Sequence, residues 1–286
     1  MRKTTAILTL TGIVLLAAAA WGQNPPRMKS QKELDAWNAI NAAPSVDSQL
    51  QKIDDFLTAF ADSDYKLILL DRAVELAANK KDYPLTMAWG QRDLDVNPTS
   101  YVAMLALARV TADTTKEFDL DKDQKLAQAE KWANGALDAL KTATRPAAFS
   151  EQRWPDLVKY WQSSGHQSLG LFAMVRKKYD VAVAEFQKAF DISPEPVYLV
   201  HVGEANLKAA KYDDAIAAFD KVLAMPDLIP VIKQVTEREK REALRRKGVP
   251  ATAAPAQPAP AAAPATAAPP PATAPVQTDT PPTPAK

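Results

Sequence analysis

The chain contains no cysteine, only two histidines and only eight scattered glycines in 286 residues. The absence of cysteine excludes disulfides, zinc–thiolate sites, cysteine nucleophiles and a lipid-modified cysteine anchor. The glycines lack the G-x-G-x-x-G and G-x-x-x-x-G-K spacings that hold phosphate groups. Basic and acidic side chains number 35 and 34, so the near-zero net charge gives no reason to expect nucleic acid as a partner. We therefore expect no cofactor, no nucleic acid and no small-molecule substrate.

The N-terminal segment has the pattern of an export signal. Arg2 and Lys3 precede an uncharged apolar run that ends in small residues just before Gln23. This order is typical of a secretory signal peptide, so we assign residues 1–22 to one and expect cleavage before Gln23 and a periplasmic location. A retained N-terminal membrane anchor is the alternative, although the run is short for a span of about 20 residues.

The C-terminal segment, residues 249–286, is rich in alanine and proline. It holds 12 of the 23 prolines, and Asp279 and Lys286 are its only charged side chains. Without aromatic, leucine or isoleucine side chains, the segment cannot bury enough apolar surface to offset the entropy of ordering. We predict a disordered, proline-rich tail, which serves either as a solubilising spacer or as a contact with the cell wall.

Between these ends, residues 27–248 show a helical pattern. Apolar residues recur at three- and four-residue spacing, which predicts α-helices and no strands. Ser30 and Glu33 have the spacing of a capping box, so the first helix is expected to begin directly after Ser30. Prolines divide the remainder into segments of helix length. The domain is therefore predicted to be all-α.

Two parts of this region repeat one another at an offset of 33 residues. The matching pairs are Gly170 and Gly203, Tyr179 and Tyr212, Ala182 and Ala215, Phe186 and Phe219, and Ala189 and Val222. This pattern resembles the tetratricopeptide repeat (TPR), a 34-residue helix-turn-helix unit, most closely over residues 163–196. Weaker copies lie upstream, and residues 56–65 resemble a linker of exported bacterial TPR proteins. The resemblance implies a TPR-like superhelical stack of about five hairpins, with a C-terminal capping helix over roughly residues 227–247.

The same resemblance implies a function. TPR arrays bind an extended or helical peptide along a concave groove that is lined by the first helix of each hairpin. We therefore expect a non-enzymatic exported scaffold that binds a protein or peptide partner in the bacterial cell envelope, and no catalytic residues. The positions that the resemblance places in the groove are Asp71, Glu75, Asn79, Arg109, Gln167, Leu171, Met174, Val200, Glu204 and Lys208.

One acidic stretch leaves a second function open. Asp119, Asp121, Asp123 and Glu130 occupy positions 1, 3, 5 and 12 of an EF-hand calcium loop, but Gln124 stands where the loop needs glycine. The stretch is therefore either a weak calcium candidate, which would make the chain a calcium-responsive structural module, or an acidic loop between two helices. The two histidines, His166 and His201, are expected to pack within their helices.

Overall fold

The computed structural model describes residues 26–145 and 150–248, and within them the chain forms eleven α-helices and no strand. The predicted signal peptide and tail lie outside these residues. The helices are α1 (Gln31–Asn41), α2 (Val46–Ala59), α3 (Lys66–Asn79), α4 (Tyr83–Val96), α5 (Tyr101–Thr114), α6 (Lys122–Lys141), α7 (Trp154–Val175), α8 (Tyr179–Ile192), α9 (Pro196–Lys208), α10 (Tyr212–Leu223) and α11 (Pro230–Arg246).

The first ten helices pair into five successive hairpins. In each hairpin the two helices pack together, and the second helix also packs against the first helix of the next hairpin. First helices contact one another as well, in the pairs α3 with α5, α5 with α7, and α9 with the terminal helix α11. The predicted stack of five hairpins and a capping helix is confirmed. The first helices consequently share one side of the stack.

The turn inside a hairpin recurs in the same form. Lys81, Lys177 and Ala210 all have a left-handed backbone, with φ of 57°, 59° and 59°. In each turn the amide of the following residue donates to a carbonyl five residues back, as from Lys178 to Ala173 at 2.8 Å. This is the Schellman motif, which satisfies carbonyl groups at a helix end. The weak second hairpin therefore shares the turn of the fourth and fifth.

Glycine at the crossing of two helices makes room for an aromatic ring. A β-carbon on Gly170 would lie 2.5 Å from Cε1 of Phe186, and Gly203 has the same relation to Phe219. Phe186 also packs against His201 of the next hairpin, with ring centroids 4.9 Å apart. Each phenylalanine thus fills the hairpin's own crossing and reaches its neighbour, which explains why the glycine and the aromatic residue repeat together.

The upstream hairpins solve the same packing problem differently. Gly90 occupies the position of the aromatic residue in the second hairpin, and the side chain of Leu107 from α5 fills the space over it. Helix α7 begins at Trp154, nine residues before the repeat unit that starts at Ser163. The pattern of residue types therefore locates the hairpins but not the full length of their helices.

The start of α1 is capped as expected, with one difference. The Ser30 hydroxyl accepts a hydrogen bond from the amide of Glu33 at 3.1 Å. The Glu33 carboxylate bonds to the amide of Lys29 and to the hydroxyl of Ser63 instead of returning to Ser30. The buried glutamate therefore ties the start of α1 to the loop before α3. Among the described helices, none is both long and apolar enough to cross a membrane.

Candidate partner-binding groove

Side chains from three successive first helices meet on one face. Tyr198 of α9, which is 4% exposed, lies at the base of this face, where it hydrogen-bonds to the buried Ser163 of α7 and lies near the exposed Tyr160 of α7 and Arg109 of α5. Burial raises the pKa of Tyr198 to about 12, and the neighbouring Tyr160 adds to the increase. We call this face, from α3 to α9, the groove.

The α3 end of the groove combines a carboxylate with aromatic rings. Glu75 is exposed, yet burial raises its pKa above the ordinary value. The side chain reaches solvent while many protein atoms lie around it, and this partial desolvation disfavours its charged form. Burial and the nearby Asp71 and Glu75 raise the pKa of Tyr101, whose ring packs on Trp161 at 5.0 Å. Trp161 in turn contacts Trp154 edge-on at 5.7 Å.

Asp71 is committed to an internal network. The hydroxyl oxygen of Ser100 lies 2.9 Å from a carboxylate oxygen of Asp71 and 2.9 Å from one of Asp93, and it accepts from the amide of Ala103. A serine hydroxyl has one proton to donate, so the second carboxylate contact requires a proton on a carboxyl group. Burial, with Asp93 alongside, raises the pKa of Asp71 well above its ordinary value. The Asp71–Asp93 pair therefore holds one proton at the junction of α3, α4 and α5.

Asp93 is a residue that sequence reasoning missed. Its side chain is fully buried, and burial raises its pKa, while hydrogen bonds from Asp71 and Ser100 act in the opposite direction. Its Oδ1 atom is buried without a hydrogen-bond partner among the described residues, which leaves an acceptor desolvated. The only signal in the sequence is an acidic residue three positions after Gly90, on the side of α4 that packs inward.

Val200 does not line the groove, which corrects its assignment. It is 4% exposed and packs in a cluster with Leu199 and Val222, against side chains of α8 and α11 that include Phe190 and Ile232. Helix α9 is the last first helix before the cap, so both of its flanks are covered. Val200 therefore contributes to the core instead of selecting a partner.

The other predicted groove residues differ in how far they are open to solvent. Leu171 and Met174 are half-buried and pack against the clusters between hairpins, and Gln167 is half-buried beside them. Asn79 and Lys208 are exposed. Arg109 donates to Asp113 at 3.0 Å. Glu75, Asn79 and Lys208 are thus the predicted positions most open to a partner.

The histidines pack as expected and have acidic partners. His166 Nδ1 lies 2.7 Å from a carboxylate oxygen of Glu185, which belongs to α8. His201 Nδ1 lies 3.0 Å from Glu204, one turn along α9. The hydrogen bond from His166 lowers the pKa of Glu185. The partner of His166 comes from another helix, so the spacing within α7 gave no sign of it.

The four calcium candidates do not converge. Helix α6 begins at Lys122, so positions 4 to 12 of the proposed loop are helical. Lys125 forms an ion pair with Asp121 at 2.9 Å, and Glu130 pairs with Arg176 of α7. Across residues 26–145 and 150–248, no three acidic or histidine side chains are grouped to hold a metal ion. The stretch from Asp119 to Glu130 is a loop followed by a helix, not an EF-hand loop.

The hairpins, their shared Schellman turns and the glycine–aromatic crossings define a TPR-type fold. No protein-family model matches the chain, and no curated protein matches it. Among solved structures, residues 41 to the end of MamA from Desulfovibrio magneticus RS-1 match with 18% identity and a TM-score of 0.52, covering 68% of this chain and 96% of that one. The TPR protein TTC0263 from Thermus thermophilus matches with 15% identity and a TM-score of 0.48, covering 73% and 97%. At 18% identity the likeness to MamA shows the fold alone.

Proposed function

We propose that this chain is an exported, non-enzymatic scaffold that binds a protein or peptide partner in the bacterial cell envelope through the groove. The observation that carries the proposal is the state of Glu75. It is open to solvent, makes no hydrogen bond or ion pair with the described residues, and has a pKa raised by burial, which the charge of Arg72 on the same helix offsets only in part. A desolvated carboxylate gains most from a cation placed beside it.

The neighbourhood of Glu75 favours a basic segment with apolar side chains. The half-buried Tyr101 lies near the carboxylate and packs on Trp161, and aromatic rings stabilise lysine and arginine through cation–π contacts. The groove also presents Tyr160 and Lys208 further along. A basic amphipathic helix or an extended basic segment of another envelope protein fits this mixture.

The location in the envelope rests on the sequence of residues 1–22. Cell fractionation followed by N-terminal sequencing tests it, because a cleaved signal peptide yields a periplasmic chain that begins at Gln23. A cytoplasmic chain that begins at Met1 would contradict the proposal.

The same proposal gives residues 249–286 a contact with the cell wall. We therefore expect isolated wall material to retain the full chain better than a chain ending at Gly248.

Site-specific photocrosslinking in cells tests partner binding. A photoreactive amino acid is placed at Glu75, Asn79 or Lys208, all of which are exposed on first helices. The matched control positions are exposed residues of second helices: Gln91, Lys131 and Lys188. We expect an adduct with one protein from the first-helix positions only. Equal adducts from both sets, or none from the first-helix set, would contradict the proposal.

A charge reversal then tests the chemistry of the partner. Glu75→Lys is expected to abolish the adduct formed from Lys208, because the substitution places a cation where the partner's cation binds. Lys131→Glu on α6 is the matched control and should leave the adduct unchanged. Retention of the adduct in Glu75→Lys would remove the acidic end of the groove from the binding site.

A further inference from the structure

The loop between α5 and α6 presents two large apolar side chains to solvent. Phe118 is 86% exposed and Leu120 is 107% exposed, the highest values among the large apolar residues that the structure describes. Acidic residues alternate with them, since Glu117, Asp119 and Asp121 flank the pair. We call residues 116–121 the apolar loop. Neighbouring exposed apolar side chains framed by charge mark an interaction surface more often than scattered ones do.

Contacts within the apolar loop hold it in an outward conformation. The Asp119 carboxylate accepts from the amide of Lys116 at 3.0 Å. The ammonium of Lys122 donates to the carbonyl of Glu117 at 3.1 Å. These bonds order the backbone on both sides of Phe118, so its exposure belongs to an organised turn. A preorganised loop loses less entropy on binding than a flexible one.

A surface of opposite character lies beside the loop. A shallow depression of about 310 Å³ opens between the turn before α8 and the turn before α10. Tyr179 and the half-exposed Val181 provide apolar surface, while Lys177, Lys178 and Lys211 provide the charge. We call this depression the lysine pocket. Lys211 pairs with Asp180 at 2.7 Å, whereas Lys178 makes no side-chain hydrogen bond or ion pair with any described residue.

The apolar loop and the lysine pocket are adjacent on the surface of one molecule. The Glu117 carboxylate lies 2.5 Å from the ammonium of Lys177, which joins the edge of the loop to the edge of the pocket. Phe118 remains exposed, so the loop does not fill the pocket of its own chain. Two complementary patches side by side permit a two-fold arrangement, in which each copy places its loop on the other copy's pocket.

We propose that a second copy of this chain occupies the lysine pocket, in a symmetric dimer with two equivalent contacts. Phe118 and Leu120 of one copy cover Tyr179 and Val181 of the other. Asp119 and Asp121, which contact Lys125 within their own chain, also face Lys178 of the other copy. Residues 116–121 hold three acidic side chains against one lysine, and the lysine pocket presents Lys178, unpaired among the described residues, beside apolar surface, so the two patches of one chain complement each other and select this occupant. The proposal does not involve the Glu75 end of the groove, because both patches lie in turns between helices near Lys208.

The expected dimer is weak and sensitive to salt. Two loops and two shallow pockets form a contact below about 1,200 Å², the lower end of specific interfaces. Ion pairs at the rim of such a contact are screened as the ionic strength rises. Sedimentation analysis of the purified chain should therefore show a monomer–dimer equilibrium at micromolar concentration that shifts toward monomer in high salt. A monomer throughout the micromolar range in low salt would overturn the proposal.

Two variants test the two patches separately. Phe118→Ser with Leu120→Ser removes the apolar contact, and Lys178→Glu reverses the charge that the loop meets; each should raise the dissociation constant about tenfold or more. Val231→Ser and Lys131→Glu change other exposed side chains, on α11 and α6, and should leave the constant unchanged. Equal weakening by the controls would overturn the assignment. The substituted side chains are exposed, so circular dichroism should show an unchanged fold.

Crosslinking tests the two-fold arrangement, because the chain contains no cysteine of its own. A chain with both Leu120→Cys and Lys178→Cys should form a covalent dimer and nothing larger under oxidation. Each single variant should form no covalent dimer, and a mixture of the two single variants should form one. A ladder of larger species would overturn the two-fold arrangement, and no product from the mixture would overturn the contact itself.

Discussion

The aromatic ring of Phe186 lies against the backbone of Gly170, where a β-carbon would fall 2.5 Å from the ring. Phe186 is 1% exposed and also packs on His201, so the ring has no room to retreat. Gly170→Ala should therefore destabilise the chain by about 1–3 kcal/mol through overpacking, despite the higher helix propensity of alanine. The free energy of unfolding in urea measures this effect.

A double variant supplies the control for this clash. Phe186→Leu alone leaves a cavity and should also destabilise, but Gly170→Ala combined with Phe186→Leu should cost less than the sum of the two. That coupling arises only if the β-carbon and the ring compete for one space. Additive effects would show that Gly170 is needed for another reason.

The glycine–aromatic relation was accessible from sequence because it repeats. Gly170 and Phe186 recur 33 residues later as Gly203 and Phe219, so the same contact produces the same pair of residue types twice in the sequence. Residues without a repeated partner left no such trace. Asp71 was expected to face a partner, and nothing in its local sequence indicated that Ser100 and Asp93 engage it.

The interpretation of the acidic stretch as a calcium loop was wrong for a different reason. Its carboxylates match a ligand spacing, but ligand spacing has meaning only when the intervening backbone forms a loop. Helix α6 begins at Lys122, so most of the proposed loop lies in a helix. Glu130 also pairs with Arg176 of α7 and does not turn toward the other carboxylates. Gln124 in place of the loop glycine was the one residue that indicated this outcome.

The calcium response follows directly from this arrangement. A ligand that binds only the native state raises the free energy of unfolding by RT ln(1 + [L]/Kd), and the melting temperature rises with it. Because Asp119, Asp121, Asp123 and Glu130 do not converge, millimolar calcium should shift the melting temperature no more than magnesium at the same ionic strength. Differential scanning fluorimetry measures the shift. A stabilisation specific to calcium, and lost in Asp121→Asn, would contradict this prediction.

The proton held by the Asp71–Asp93 pair should give the chain an unusual dependence of stability on pH. The pKa of Asp71 is raised in the folded state by burial and by Asp93, so the native chain holds this proton more tightly than the unfolded chain. The resulting stabilisation is complete below the ordinary aspartate pKa of about 4 and is lost as the pH rises through the raised value. Asp71→Asn should remove this loss, because the amide is neutral at every pH and donates a hydrogen bond as the protonated acid does.

Urea unfolding at a series of pH values measures this contribution. Wild type should lose stability relative to Asp71→Asn as the pH rises, and the variant should be the more stable of the two at alkaline pH. Other groups near the pair are Glu75 of α3 and Tyr101 of α5, and both substitution backgrounds retain them. Asp95→Asn changes an exposed residue of α4 and is the matched control. Parallel curves for wild type and Asp71→Asn would contradict the assigned proton.

Two residues of α9, Val200 and Lys208, should respond differently to substitution, because one packs in the core and the other is exposed. Val200 is buried between α8 and α11, so Val200→Ala should cost about 1–3 kcal/mol of stability by removing packed methyl groups. Lys208→Ala at the exposed end of the same helix should leave the unfolding free energy within about 0.5 kcal/mol of wild type.

If Lys208 faces the partner, its substitution should weaken photocrosslinking from Glu75 while the melting temperature stays unchanged. Val200→Ala should instead lower the melting temperature and affect capture only where the chain begins to unfold. The reverse pattern, with a stable Val200→Ala that loses capture, would return Val200 to the groove and contradict the packing seen at the cap.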